Sequence, residues 1–204
     1  MKKNRLKIYL AINITIVIME AIGLTMATLN RRETTFQYYT QLSNLFLMIT
    51  SIANIVCAIR VLTGKKKVMP RIVNLLSYSA ICTTTVTLFV VLFVLSWMAG
   101  DLIWILTSGS MIFTHTLCPI LAIVMFTCFA PERLGKRAAL FALMPTIAYA
   151  IVAMTMNIVR LWYGPYPFLL VYSQPVWASI AWSIGILTGA YGIARALLMP
   201  NLKK

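Results

Sequence analysis

Residues 71–98, "RIVNLLSYSAICTTTVTLFVVLFVLSWM", carry a single charge, on Arg71. An apolar run of this length exceeds the roughly 20 residues with which an α-helix crosses a ~30 Å hydrocarbon core. Outward from it, five more runs of similar character lie at about 7–29, 40–60, 110–130, 138–158 and 175–198. Of the 204 residues, 61% are apolar and 11% charged, and the mean hydropathy is +0.87. A soluble domain carries roughly 25% charged residues. The connections are short, no low-complexity linker appears, and the loops cannot bury a core of their own. The expected fold is all-α: a polytopic membrane protein, one domain over residues 1–204, bundling six transmembrane helices.

The net charge of +14 would suit a nucleic-acid partner, but its distribution gives another cause. Lys2, Lys3, Arg5 and Lys7 precede the first run; Arg60, Lys65, Lys66, Lys67 and Arg71 follow the second; Arg133, Lys136 and Arg137 follow the fourth; Arg195, Lys203 and Lys204 end the chain. With six spans all of these fall on one side, leaving only Arg31, Arg32 and Arg160 opposite. The positive-inside rule then places both termini in the cytoplasm and accounts for the charge without nucleic acid.

"MKKNRLK" before an apolar run resembles a signal peptide, but the run is too long for a signal core, Glu20 interrupts it and no small-residue cleavage site follows. Cys57, Cys82, Cys118 and Cys128 fall inside spans without C-x-x-C spacing and read as small packing residues. His115 is the only histidine, so no histidine-based metal cluster can form, and no cofactor is expected.

Polar residues converge at one membrane level. Thr40, Asn44, Ser51 and Asn54 follow one another at helical steps, which puts them on one face of the second span, looking into the bundle. Such residues serve as glue between transmembrane helices, the plain reading for Ser51 and Asn54; Thr40 and Asn44 lie level with His115, where glue and function are both open. Pro119 has no N–H for the carbonyl of His115 and opens that turn, which favours a polar cavity beside the histidine. An ionisable residue at membrane depth is by default a functional candidate. Glu20 is placed to orient the imidazole or to pair with Arg160, and Asn157 closes the fifth span beside that arginine. Asp101, between Trp97 and Trp104, reads as an interfacial loop residue, and Glu132 as solvated. Nine Trp and Tyr side chains, among them Tyr38, Tyr39, Tyr166 and Trp177, read mostly as a boundary belt. Gly185-x-x-x-Gly189 and Ala190-x-x-x-Ala194 would let a neighbouring helix approach closely.

"YYTQLSN" (38–44), "HTLCPIL" (115–121) and "RLWYGPYPFL" (160–169) together resemble a bacterial six-span membrane family, itself similar to the eukaryotic androgen-induced and androgen-dependent TFPI-regulating proteins. Those relatives are integral-membrane threonine hydrolases that cleave lipid esters, notably fatty acid esters of hydroxy fatty acids. The resemblance implies a lipid ester substrate drawn from membrane lipids, a bacterial cytoplasmic membrane location, Thr40 as nucleophile and His115 as its partner. Two departures stand out: Gly164 is an insertion before "PYPF", and Leu170 stands where an acidic residue is expected.

The chemistry is coherent by itself. A threonine hydroxyl becomes nucleophilic when a neutral imidazole takes its proton and later returns it to the leaving alcohol. Asn44, Gln41 or the opened helix turn would supply a donor for the oxyanion. Arg160 would hold a fatty-acid carboxylate. A different class also fits the length and topology: the substrate-binding membrane subunit of an energy-coupling-factor type transporter.

Overall fold

The computed structural model describes residues 3–131 and 133–202, so Lys2, Lys203 and Lys204, assigned above to the basic side, and Glu132, read as solvated, lie outside the described residues. The chain runs α1 (Lys3–Arg31), a 3-10 turn (Arg32–Gln37), α2 (Tyr39–Leu62), α3 (Arg71–Val90), α4 (Ser96–Ala99), α5 (Leu102–Thr107), α6 (Cys118–Phe129), α7 (Ala138–Ile158) and α8 (Val176–Leu202). π-turns at Val91–Leu95 and Ile112–Leu117 join α3 to α4 and lead into α6. The described residues form no strand. Six helices are long and apolar enough to cross a membrane: Lys3–Asn30, Tyr39–Leu62, Arg71–Met98, Ile112–Phe129, Ala138–Ile158 and Val176–Pro200.

Burial is inverted relative to a water-soluble bundle. Asn13, Glu20, Asn44, Asn54 and Thr84 are wholly enclosed, while Ile8, Ile14, Ile18 and Ile22 of α1 and Ile180 and Ile184 of α8 face outward. Large contiguous apolar exteriors mark surfaces that meet something other than water, and here that surface runs along whole helices. Polar groups inside must therefore find partners inside.

α3 is the most enclosed span and packs against α2, α6, α7 and α8. Its "TTTVT" run satisfies itself: Thr83 and Thr85 donate to the carbonyls of Ala80 and Ile81 at 2.8 and 2.7 Å, and Thr87 to that of Thr83 at 3.3 Å. Such back-bonding removes the cost of burying a hydroxyl in a helix. Tyr78 donates to the Ala194 carbonyl at 2.6 Å and pins α8. Asn54 donates to Asn13 Oδ1 at 3.0 Å and Ser77 Oγ at 2.9 Å, joining α1, α2 and α3 as interhelical glue. Ser51, expected to do the same, is buried but its hydroxyl has no partner.

Arg5 donates to the Cys128 carbonyl, so the first turn of α1 and the last turn of α6 lie at the same end of the bundle. That joins the basic stretch before α1 to the one around Arg133, Lys136 and Arg137. The glycines of α8 behave differently from expectation. A Cβ at Gly185 or Gly189 would meet nothing within 4 Å, so among the described residues no helix packs tightly on them. The close contact is instead one face round, at Ala190 and Ala194.

Candidate functional site

Thr40 is the second residue of α2, so its N–H is one of the first-turn donors that a helix leaves unsatisfied. The Tyr166 hydroxyl meets it at 3.3 Å and lies 3.3 Å from Thr40 Oγ1 as well. Tyr166 reaches this point because the segment after α7 is tightly constrained. Arg160 adopts φ 59°, and Leu161 N and Arg160 N donate back to the carbonyls of Met156 and Asn157 at 2.9 and 3.0 Å, a Schellman ending. Asn157 then staples the loop: its Nδ2 donates to Trp162 O at 3.2 Å and its Oδ1 accepts from Val171 N at 3.0 Å. Asn157 is therefore a supporting residue of the loop.

Gly164 lies where that loop folds on itself. A Cβ there would sit 2.9 Å from the Leu169 carbonyl oxygen and 3.2 Å from Asn157 Nδ2, neither of which yields without breaking the staple. Gly164→Ala should therefore cost about 1–3 kcal/mol of stability, as overpacking does. Gly185→Ala, which meets nothing, is the control in the same thermal unfolding of detergent-solubilised protein.

Tyr166 and Phe168 stack at 5.2 Å and 4°, Tyr38 meets Tyr166 edge-on at 5.9 Å, and Phe168 contacts Trp182 at 5.7 Å. Tyr166, Phe168 and Trp182 wall a cavity of about 720 Å³, mouth and open solvent included, among α2, α3, α7 and α8. Thr40, Tyr39, Thr87, Thr146, Tyr149, Tyr166 and Ser183 give it its hydroxyls, and the rest is aliphatic and aromatic. No charged side chain lines it. Tyr39 and Tyr166, read from the sequence as boundary anchors, are walls of this cavity: Tyr39 Oη lies 2.7 Å from Thr146 Oγ1, and the partner Tyr149 donates to Gln37 O at 2.9 Å. A second groove of about 800 Å³ shares Tyr39 and Tyr149 with the first and lies between α2, α3 and α7.

His115 sits in the π-turn, 9% exposed, and is not part of the cavity wall. Its Nδ1 lies 2.9 Å from the Ile105 carbonyl, and Thr116 donates to Leu106 O at 2.8 Å. Both carbonyls end the short helix α5 and lack intrahelical donors. A carbonyl only accepts, so Nδ1 carries the proton, and Nε2 is the basic nitrogen of the neutral ring. The imidazole is thus oriented by backbone.

Asn44 connects the two turns. In the π-register Cys118 N donates five residues back, to Phe113 O, so the next donor owed, to Thr114 O, would come from Pro119, which has none. Asn44 Nδ2 supplies it at 3.0 Å and also reaches Thr40 O at 2.7 Å. Both N–H groups of the amide are spent, which removes Asn44 as an oxyanion donor. Gln41 is buried next to Thr40 in sequence, outside the cavity wall, with Oε1 unpartnered.

Glu20 is wholly buried, with the Cys118 thiol as its polar neighbour. It neither orients the imidazole nor pairs with Arg160. The arginine is exposed, its guanidinium 4.7 Å from the Tyr172 ring centre, and it lines an outer cleft with Asn157, Trp162 and Ser173. Asp101 is exposed and caps α5 by accepting from Trp104 N at 2.9 Å. Among the described residues no three His, Cys, Asp or Glu side chains cluster to hold a metal. The sequence reading took Tyr166 for a boundary residue and missed Phe168, Trp182 and Thr146; the one signal for Tyr166 and Phe168 was "GPYPF", a rigid aromatic turn too short to span anything, and Trp182 and Thr146 carried none. Comparison with models of known protein families, with curated proteins and with solved structures returns no match.

Proposed function

We propose that this chain is an integral-membrane lipid ester hydrolase in which Thr40 is the nucleophile and His115 the general base. The observation that carries the reading is the Thr40 hydroxyl in the wall of an uncharged, mostly apolar cavity. Its mostly aliphatic and aromatic lining suits an acyl chain better than a polar solute. In the reaction His115 Nε2 takes the Thr40 proton as Oγ1 bonds to the ester carbonyl carbon. The C–O bond to the alcohol then breaks, and the proton passes to the departing alkoxide. Water, deprotonated in turn by the imidazole, releases the acid and restores Thr40. The Tyr166 hydroxyl at 3.3 Å from Oγ1 is the donor nearest the developing oxyanion, in the place expected of Asn44. For Thr40 to reach Nε2, Oγ1 leaves Tyr166 and turns toward the π-turn that Asn44 ties to its own backbone. Purified protein should hydrolyse fatty acid esters of hydroxy fatty acids or other lipid esters; absence of turnover across a panel of lipid esters contradicts the reading.

One observation favours a second reading, ligand binding without turnover in a transporter subunit. Thr40 pairs with Tyr166, and His115 stands outside the cavity wall. Stable co-purification of a small molecule and of an ATPase partner would support it.

The orientation follows from charge: the basic end that joins Arg5 to the Arg133–Arg137 region faces the cytoplasm, and Thr40 lies toward the outer face. A reporter fused after Lys204 is active only if cytoplasmic; a periplasmic signal reverses this topology.

Arg160 bears on the substrate head. A non-glycine residue in the left-handed region costs about 1 kcal/mol or more, so Arg160→Gly should raise thermal stability slightly. It should also raise KM for esters bearing a free carboxylate while leaving neutral esters unchanged, as loss of uniform binding does. Equal loss for both ester classes removes the carboxylate contact.

A further inference from the structure

α3 and α8 are tied together along one face of α8 and stand apart along the next. Tyr78 donates to the Ala194 carbonyl at 2.6 Å, and Ala190 and Ala194 are buried there. On the neighbouring face a Cβ at Gly185, Gly189 or Gly192 would meet nothing within 4 Å. These glycines line a groove of about 1060 Å³, open surroundings included, against the end of α3 and its π-turn. Such turns inside a helix frequently accompany functional sites.

The groove abuts the cavity that Thr40 lines. Val86 and Val90 of α3 and Trp182 and Ile186 of α8 line both spaces, so the two meet at one wall of side chains. Trp182 is 37% exposed, and its ring lies 5.7 Å from that of Phe168. Phe168 stacks on Tyr166, whose hydroxyl is 3.3 Å from Thr40 Oγ1. Three rings in series therefore connect the groove to the hydroxyl.

Position and lining identify what the groove holds. Both helices belong to membrane spans, so it opens on hydrocarbon rather than on water. No hydroxyl and no charge lines it. From Trp182 to Ala196 it follows about 21 Å of helix at 1.5 Å per residue. One lipid tail fills about half of the ~30 Å hydrocarbon core, so the groove can take a whole chain. A second transmembrane helix would pair on these glycines only by bringing its backbone close. Phe89, Phe93 and Trp182, all exposed, stand along the groove and hold a helix off. We propose that the groove between α3 and α8 seats the acyl tail of a lipid ester that leaves the bilayer sideways, its ester end passing Trp182 into the cavity of Thr40. The ester end rests on the hydrolase reading; the seat of the tail does not.

The test is photolabelling of the purified full chain in nanodiscs with an uncleavable ether analogue of a long-chain ester, carrying a diazirine at the end of its tail. Labelling should fall on α3 and α8 around Phe89, Phe93 and Ile186, saturate, and yield to unlabelled ester. It should drop about tenfold in Gly185→Leu and in Gly189→Leu, which fill the groove. A Cβ at either position meets nothing, and leucine is the better helix former, so both variants should fold. If esters are cleaved, the same variants should raise KM for long-chain esters and spare acetyl esters. Competed labelling in a protein that cleaves no ester supports the groove and removes the hydrolase reading alone. Labelling equal to that of the lipid-facing Ile14 and Ile18 of α1, or unchanged in both leucine variants, overturns the groove. So does a dimer that Gly189→Leu dissociates, since a second copy then occupies it.

Discussion

Asn44→Leu should destabilise the bundle by about 2 kcal/mol, the usual scale for leaving a buried carbonyl without a donor. The reason lies in the acceptor. Thr114 O has no helical donor because the π-turn gives Cys118 N to Phe113 and Pro119 has no N–H. Asn44 Nδ2 reaches it, at 3.0 Å. Asn54→Leu is the informative comparison. It also removes two hydrogen bonds, but the abandoned partners, Asn13 Oδ1 and Ser77 Oγ, sit on side-chain torsions that can re-aim, as a helix carbonyl cannot. Polar contacts of that kind between transmembrane helices average about 0.6 kcal/mol. Unfolding in mixed detergent micelles measures both. Equal losses for the two variants would mean that the Thr114 carbonyl finds another donor and that Asn44 is ordinary glue.

Thr40→Ala, His115→Ala and the double variant should all fall to the same residual rate of lipid ester cleavage. Threonine is inert without a base, and the base has nothing to activate without the threonine. Removing a general base alone costs about 10²–10⁴-fold, and residues that act as a unit do not add their losses. His115 also holds α5 through the Ile105 carbonyl, so folding must be verified for each variant. Thr116→Val removes the adjacent bond to Leu106 O and leaves the imidazole in place. It reports the structural part of the loss, and it should keep most of the activity. Additive losses in the double variant would mean that the two residues work separately.

The membrane spans were legible because length and apolarity along one segment are local properties: the run at 138–158 reappears as Ala138–Ile158. The inward face of α2 was legible for a similar reason, since helical periodicity alone brings Thr40, Asn44, Ser51 and Asn54 together. The partners were not. Asn44 reads as a candidate oxyanion donor until the π-turn appears, and a one-residue register shift within a helix leaves no mark in apolar sequence. Pro119 signalled an opened turn but not that Thr114 would need a donor from another helix. Tyr39 and Tyr166 looked like belt residues because an aromatic at the boundary faces lipid or cavity with the same composition. Their separation required the loop held by Asn157 and Gly164, which brings Tyr166 to the first turn of α2. Glu20 was visible as an acid at membrane depth, but its neighbour, Cys118, comes from a distant span.

The most direct measurement is the site of covalent capture by an ester-mimicking electrophile. Purified protein is treated with a lipid-tailed fluorophosphonate, digested, and the adduct mapped by mass spectrometry. The account predicts one modified residue, Thr40, with labelling abolished in Thr40→Ala and strongly reduced in His115→Ala. Labelling confined to another hydroxyl, or none in protein that cleaves lipid esters, would contradict Thr40 as the nucleophile.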